Sequence, residues 1–361
     1  MASEYRFLFA DLKTGSLIGE LPLMAASWSE VLNAPGAFQG ALPLDHGDPT
    51  ITPAVFAPAK TRIYVERDGV IVWGGILWAL DLDVAANVLN FGCEGFLSYF
   101  RRRVFGGSLA STNATYFPTA DQLNLARGLI DYAQDSGLFP GGDLGILTPG
   151  TATSGVTRER NFTLVEYIGD ALERMAAVDN GFDFRFSSAW NGSNEVEVSF
   201  LTSYPATGRE TEIVFDMGAN VALLNYSESS ENIGNKVWVT GASSGSLPRR
   251  FSKEDASLLG EYPRLDLVAS APGAVLATTL EEHADRSLTA ADQPLATVSL
   301  EVYPDTVPAF GSYLVGDKVR VKGSHGYLDL DADYRITEIE MAVEGGAERV
   351  SLALAPWSLF T

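Results

Sequence analysis

The 361 residues read as a mainly β protein with α/β insertions: two small antiparallel β-barrels plus an inserted α/β domain. Three observations carry that expectation. Segments alternating apolar and polar residues, as half-buried antiparallel strands do, recur at both ends of the chain. Glycine-based turns, Asp68-Gly69 and Gly345-Gly346 among them, separate these segments. Apolar stripes of 3.6-residue period fall between the strand-rich regions or within the second of them.

Residues 1–95 form the first expected barrel. Arg6-Phe7-Leu8-Phe9-Ala10-Asp11 is a strand leading to a turn at Lys13-Thr14-Gly15. Arg62 to Glu66 and Val70 to Trp73 flank Arg67-Asp68-Gly69, where Asp-Gly supplies the positive φ of a tight hairpin. Leu80 to Val84 and Val88 to Phe91 pair around Ala85-Ala86-Asn87. Strands so regularly spaced leave open edges unless the sheet closes, which favours a barrel or sandwich.

Residues 96–209 form the α/β insert with two helices. Thr119 and Gln122 have capping-box spacing ahead of Leu123, Ala126, Leu129, Ile130 and Ala133, with Gly137 as the stop. Thr163 and Glu166 repeat the signal ahead of Leu164, Ile168, Ala171, Leu172 and Met175, with Gly181 as the stop. Phe139 to Gly155 is rich in Gly, Pro and Thr and is expected to be an exposed loop. Phe182 to Phe186 and Val196 to Leu201 read as a hairpin around Trp190-Asn191-Gly192.

Residues 210–243 and 294–361 form a second, split barrel, interrupted by a loop-helix insert at 244–293 associated with the α/β part. Gly241 to Gly260 is polar and loop-like, and Val275, Leu276, Leu280, His283, Ala284 and Leu288 make a helical stripe. The strands that close the chain are Leu314-Val315-Gly316-Asp317-Lys318-Val319-Arg320-Val321, Tyr334 to Glu340, and Arg349 to Leu354. The pattern ends at Thr361 with no enzymatic or fibre segment expected after it.

The formal charge of −21 argues against tight nucleic-acid binding, because phosphate recognition needs clustered Lys and Arg. Only Arg101-Arg102-Arg103 and Arg249-Arg250 cluster. One cysteine, Cys93, precludes an intrachain disulfide, and with three histidines a structural zinc site is not expected. No membrane-spanning segment is expected: the longest apolar run, Val70 to Leu80, is too short and contains Gly74-Gly75. The N-terminus lacks the basic and apolar regions of a secretory signal.

No catalytic, cofactor-binding or metal residue is expected. His46 and His325 sit beside glycines, and His283 lies on a helical stripe. The chain has neither G-x-S-x-G nor H-E-x-x-H, no P-loop and no dinucleotide fingerprint. Among 46 acidic residues, chance carboxylate pairs are abundant. Asp329-Leu330-Asp331-Ala332-Asp333 with Glu340 mimics a calcium loop, but Tyr334 occupies the position that needs glycine. The flanks alternate as strands, so an acidic hairpin is the expectation.

Several motifs, in order, resemble the tail hub or minor tail proteins of long-tailed phages, which relate to the baseplate hub of contractile tails. Asp11-Leu12 through Thr14-Gly15 to Ile18-Gly19-Glu20-Leu21-Pro22-Leu23 resembles the first hairpin of the minor tail proteins of phages that infect actinobacteria. Phe38-Gln39-Gly40-Ala41-Leu42-Pro43-Leu44, Val70-Ile71-Val72-Trp73-Gly74-Gly75-Ile76-Leu77 and Glu94 to Arg103 are similar to segments that follow. Asn232 to Gly241 resembles the strand that starts the second barrel. The terminal "G-D-x-V-x-V", "R-I-x-x-I" and "V-x-L-x-L" strands resemble its close.

The resemblance implies a baseplate-hub-like fold and a homotrimer whose six barrels form a ring. It implies a virion structural protein of the tail tip, made in the host cytoplasm, and not an enzyme. The implied partners are the distal tail ring protein, the tape-measure protein and tip or receptor-binding proteins, with DNA passing transiently and without tight binding. Three copies carry −63 (three times −21), so an acidic channel wall would repel DNA in transit. The alternatives are a tail-attached glycan-binding module and a peptidoglycan hydrolase.

Overall fold

The computed structural model describes residues 3–44, 52–53, 56–106, 115–162, 166–177, 180–231, 233–244, 247–270, 277–289, 291 and 295–360. It divides into two compact units, one of Met1–Leu223 with Leu300–Leu354, the other of Leu224–Ser299 with Ala355–Thr361.

The larger unit begins with seven strands: β1 (Tyr5–Asp11), β2 (Leu17–Leu21), β3 (Ala25–Val31), β4 (Ala37–Pro43), β5 (Thr61–Arg67), β6 (Val70–Asp83) and β7 (Val88–Gly95). They run in the order β3-β4-β7-β6-β5-β1-β2, every pair antiparallel. The Asp68-Gly69 turn forms as expected, with both residues at positive φ. Long β6 pairs with β5 along its first half and with β7 along its second. The half paired with β5 contains Trp73-Gly74-Gly75, and sterics account for both glycines. A Cβ on Gly74 would fall 2.4 Å from Ser188 Oγ, and one on Gly75 would fall 2.5 Å from the Glu94 carbonyl oxygen.

The insert contains α1 (Leu97–Phe100), β8 (Thr115–Asp121), α2 (Gln122–Gln134), β9 (Thr157–Phe162), α3 (Ile168–Ala176), β10 (Asp183–Trp190) and β11 (Val196–Ser203). The two expected helices and the β10–β11 hairpin are present. Their caps differ from expectation. Thr119 lies in β8, and α2 is capped by Asp121, whose Oδ1 accepts from the Leu123 N–H at 2.9 Å. The second expected cap, Thr163, lies outside the described residues, and α3 begins at Ile168. Both helices end before the glycines read as stops, at Gln134 and Ala176. The 139–155 segment is a loop as expected, yet it buries Leu144 and Ile146. The β8–β9 pairing was not expected. Leu129, Ile130, Ile168, Leu172, Phe184 and Phe200 share one core cluster with Phe96 and Phe100 of the segment that leaves β7. Each large side chain buried there contributes about 1.5–3 kcal/mol.

β12 (Glu210–Asp216) and β13 (Val221–Ser229) follow. The smaller unit holds β14 (Lys236–Ser244), β15 (Leu247–Glu254), α4 (Leu258–Glu261), β16 (Asp266–Ser270) and α5 (Ala277–Thr289). The polar Gly241–Gly260 stretch is therefore not a loop throughout. Antiparallel β15 and parallel β16 flank β14, and α5 covers one face through Leu280, Ala284 and Leu288 against Val237 and Val239. Strand character was hidden because Phe251 is the one large apolar residue of β15 between Arg249 and Glu254.

The chain closes with β17 (Leu295–Val302), β18 (Lys318–His325), β19 (Leu328–Glu344) and β20 (Ala347–Pro356). β18 pairs parallel with β12 and antiparallel with the first half of β19. The second half of β19, Glu338 to Glu344, pairs with β3. The N-terminal and C-terminal strand groups thus form one continuous sheet through β3 and β19.

Asp121 joins α2 to its preceding loop: its second carboxylate oxygen accepts from the Ser154 N–H at 2.7 Å and the Gly155 N–H at 2.9 Å. Asp121→Ala should destabilise the protein by about 1–2 kcal/mol. Urea denaturation measures this, and an unchanged midpoint would refute the cap.

Candidate functional site

The residues weighed for chemistry do not come together. His325 ends β18 and is exposed, while His283 is half-buried on α5; His46 lies outside the described residues. Cys93 is buried on β7, and burial pushes its thiol pKa far up, away from nucleophilic character. Among the described residues, no group of three or more His, Cys, Asp and Glu could hold a metal ion. The acidic run Asp329, Asp331 and Asp333 lies on β19, facing β18. Asp331 pairs with Arg320, and Asp333 pairs with Lys318 at 3.0 Å. This is the expected acidic strand pair, with basic partners across the ladder.

The structure does assemble an ionic junction. Arg335 on β19 is 2% exposed, and its guanidinium pairs with Asp183, the first residue of β10. The same guanidinium donates to the Thr207 carbonyl at 2.9 Å and to the Gly316 carbonyl at 3.2 Å. Asp183 also accepts from the Thr207 N–H at 2.6 Å and from the Asn33 side-chain amide at 2.8 Å. Asn33, in the β3–β4 turn, accepts in return from the Phe184 N–H at 2.7 Å. Fully buried Asp317 forms a neighbouring node. It pairs with Arg209 and accepts from the Arg209 N–H at 2.8 Å and the Leu314 N–H at 3.0 Å. Gly316, at φ +97, cannot carry a side chain here: a Cβ would fall 2.4 Å from Thr207 Cγ2.

A second ionic group joins β1 and β5 to β20. Arg67 donates to both carboxylate oxygens of Glu348, at 3.1 and 3.2 Å. Tyr5 donates to Glu348 at 2.6 Å, and the Arg67 guanidinium lies 5.2 Å from the centre of the Phe310 ring. Burial alone would raise the Glu348 pKa, but the hydrogen bonds from Arg67 and Tyr5 hold it below the ordinary 4.5.

Neither group was identified from sequence, although single charges inside apolar strands were visible: Asp183 between Phe182 and Phe184, Arg335 between Tyr334 and Ile336. Buried charges require partners, so these positions could have been flagged, but sequence does not show which charges meet. In each arrangement the charged groups are engaged with one another.

A shallow concavity of about 560 Å³ lies where β19, β3, β4, β7 and β6 run side by side. Ala25, Ser27, Ala41, Ala79, Gly92 and Ala342 line it with small side chains. Among the described residues, no helix is long and apolar enough to cross a membrane.

Breaking the buried pair from one side leaves an uncompensated charge, so Asp183→Ala or Arg335→Ala should cost about 3–5 kcal/mol. The double variant should cost less than the sum of the two. Chemical denaturation of the four proteins tests this, and strict additivity would rule out direct coupling.

The depressed Glu348 pKa sets a pH dependence. Its stabilisation is complete above the ordinary value of 4.5 and is lost as pH falls through the lower folded-state value. Glu348→Gln should therefore flatten part of the acid limb of stability against pH. An acid limb of unchanged slope would contradict this assignment.

No protein-family profile matches the sequence, and a search of curated proteins gives no match. Solved structures do match. The 43 kDa tail protein of prophage MuSo2 from Shewanella oneidensis is 14% identical, with a TM-score of 0.63 and 98% of each chain covered. A tail protein from Neisseria meningitidis MC58 is 13% identical, with a TM-score of 0.57 and again 98% of each chain covered. The E. coli c3393 protein, a component of the type VI secretion system with structural similarity to the T4 tail proteins gp27 and gp5, is 10% identical. Its TM-score is 0.50, with 94% of this chain and 74% of that chain covered. From its first strands to its last, the chain has the fold of these tail proteins and of the secretion-system component, the mainly β, baseplate-hub-like fold that the resemblance implies.

Proposed function

We propose that the chain is a structural, non-enzymatic protein of a phage virion, the hub of the tail tip. The single observation that carries this reading is the likeness in fold to prophage tail proteins over 98% of both chains. The engagement of the buried charges with one another supports a scaffold and offers no reaction.

In this reading three copies assemble into a ring. The strand groups of 1–95 and of 210–243 with 294–361 alternate around it and mate with the distal tail ring protein. The opposite side holds tip or receptor-binding proteins, and the tape-measure protein and then DNA pass through the centre. Net charge supports passage without capture: three copies of a −21 chain carry −63, and an acidic wall repels a duplex.

Sedimentation of the purified chain, alone and with the distal ring protein, tests the assembly. The expected result is a species of three copies, in at least the second condition. A monomer in both would refute the ring.

A further inference from the structure

A cavity of about 350 Å³ lies beside β3, with Trp28, Trp73, Phe310, Tyr313, Glu30 and Arg185 among the residues that line it. Trp28 is 4% exposed and Trp73 6%. One polar group there is unsatisfied, and a second is loosely paired. The hydroxyl of Tyr313, a residue 1% exposed, has no hydrogen-bond partner. Buried hydroxyls usually find partners, and one left without costs stability unless a ligand or water supplies it. The Glu30 carboxylate, 34% exposed, forms no hydrogen bond among the described residues, and its ion pair with Arg185 is long, at 3.9 Å. Burial raises the Glu30 pKa, and the Arg185 charge opposes that shift.

We propose that this cavity receives the basic side chain, arginine or lysine, of a partner protein. Three features select that chemistry. Glu30 supplies an acceptor for the charge. The aromatic walls suit an alkyl stem and favour a cation. The Tyr313 hydroxyl can accept an N–H that no group among the described residues donates. Net charge of −21 favours encounter with a basic partner. Arg185 is the competitor for the same carboxylate. The partner is a neighbour in the tail under the proposed function, but binding of the side chain is independent of trimer formation, so either can fail while the other stands.

The test is titration of the full chain with a capped tripeptide carrying a central arginine, against the same tripeptide with a central glutamine. Tryptophan fluorescence and melting temperature are the readouts. The arginine peptide should give a saturable change and the glutamine peptide none. Glu30→Gln should weaken binding about tenfold. Tyr313→Phe should weaken it while leaving the melting temperature unchanged or higher, because an unpaired buried hydroxyl is removed. Arg185→Gln should tighten it by removing the competing cation. Absence of saturation, an equal response to the glutamine peptide, or unchanged affinity in Glu30→Gln would each overturn the proposal.

Discussion

The larger unit depends on the buried pair between Arg335 and Asp183. Two charges removed from water carry a desolvation cost that only close, fully hydrogen-bonded pairing offsets. That requirement fixes more than two side chains. It places the carbonyls of Thr207 and Gly316 beside the guanidinium, and the Asn33 amide and Thr207 N–H beside the carboxylate. The β3–β4 turn, the start of β10, the segment ahead of β12 and the middle of β19 therefore meet in one arrangement. Hydrophobic burial supplies most of the stabilisation, but it is non-directional. The ionic junction decides how the strand groups and the insert lock together.

The same requirement explains two terminal motifs. In "G-D-x-V-x-V", Gly316 passes too close to Thr207 for a side chain, and Asp317 is the buried acid that holds Arg209. In "R-I-x-x-I", the arginine is Arg335 itself, and Ile336 is fully buried beside it. Alternation revealed the strands and the glycines revealed the turns, so the mainly β class, the two insert helices and the terminal strands were legible. Pairing was not. That β19 continues past β18 to pair with β3 depends on contacts between residues about 310 positions apart, which local periodicity does not encode.

The errors have local causes. The α2 cap moved from Thr119 to Asp121 because an acid there can serve the helix N-terminus and the Ser154–Gly155 backbone at once. Strand β15 was hidden because its exposed side and much of its covered side are polar. The 139–155 loop, read as exposed, hides Leu144 and Ile146, which tie it to the insert core. The cavity beside β3 was invisible because its walls come from β3, β6, β10 and the 310–314 segment, far apart in sequence.

The most direct test of a place at the tail tip is gold-labelled antibody raised against this protein, imaged on intact virions produced from the genome that carries its gene. The expected result is label at the distal end of the tail, on most particles. Label on the capsid or along the tail shaft, or virions without the protein, would contradict it.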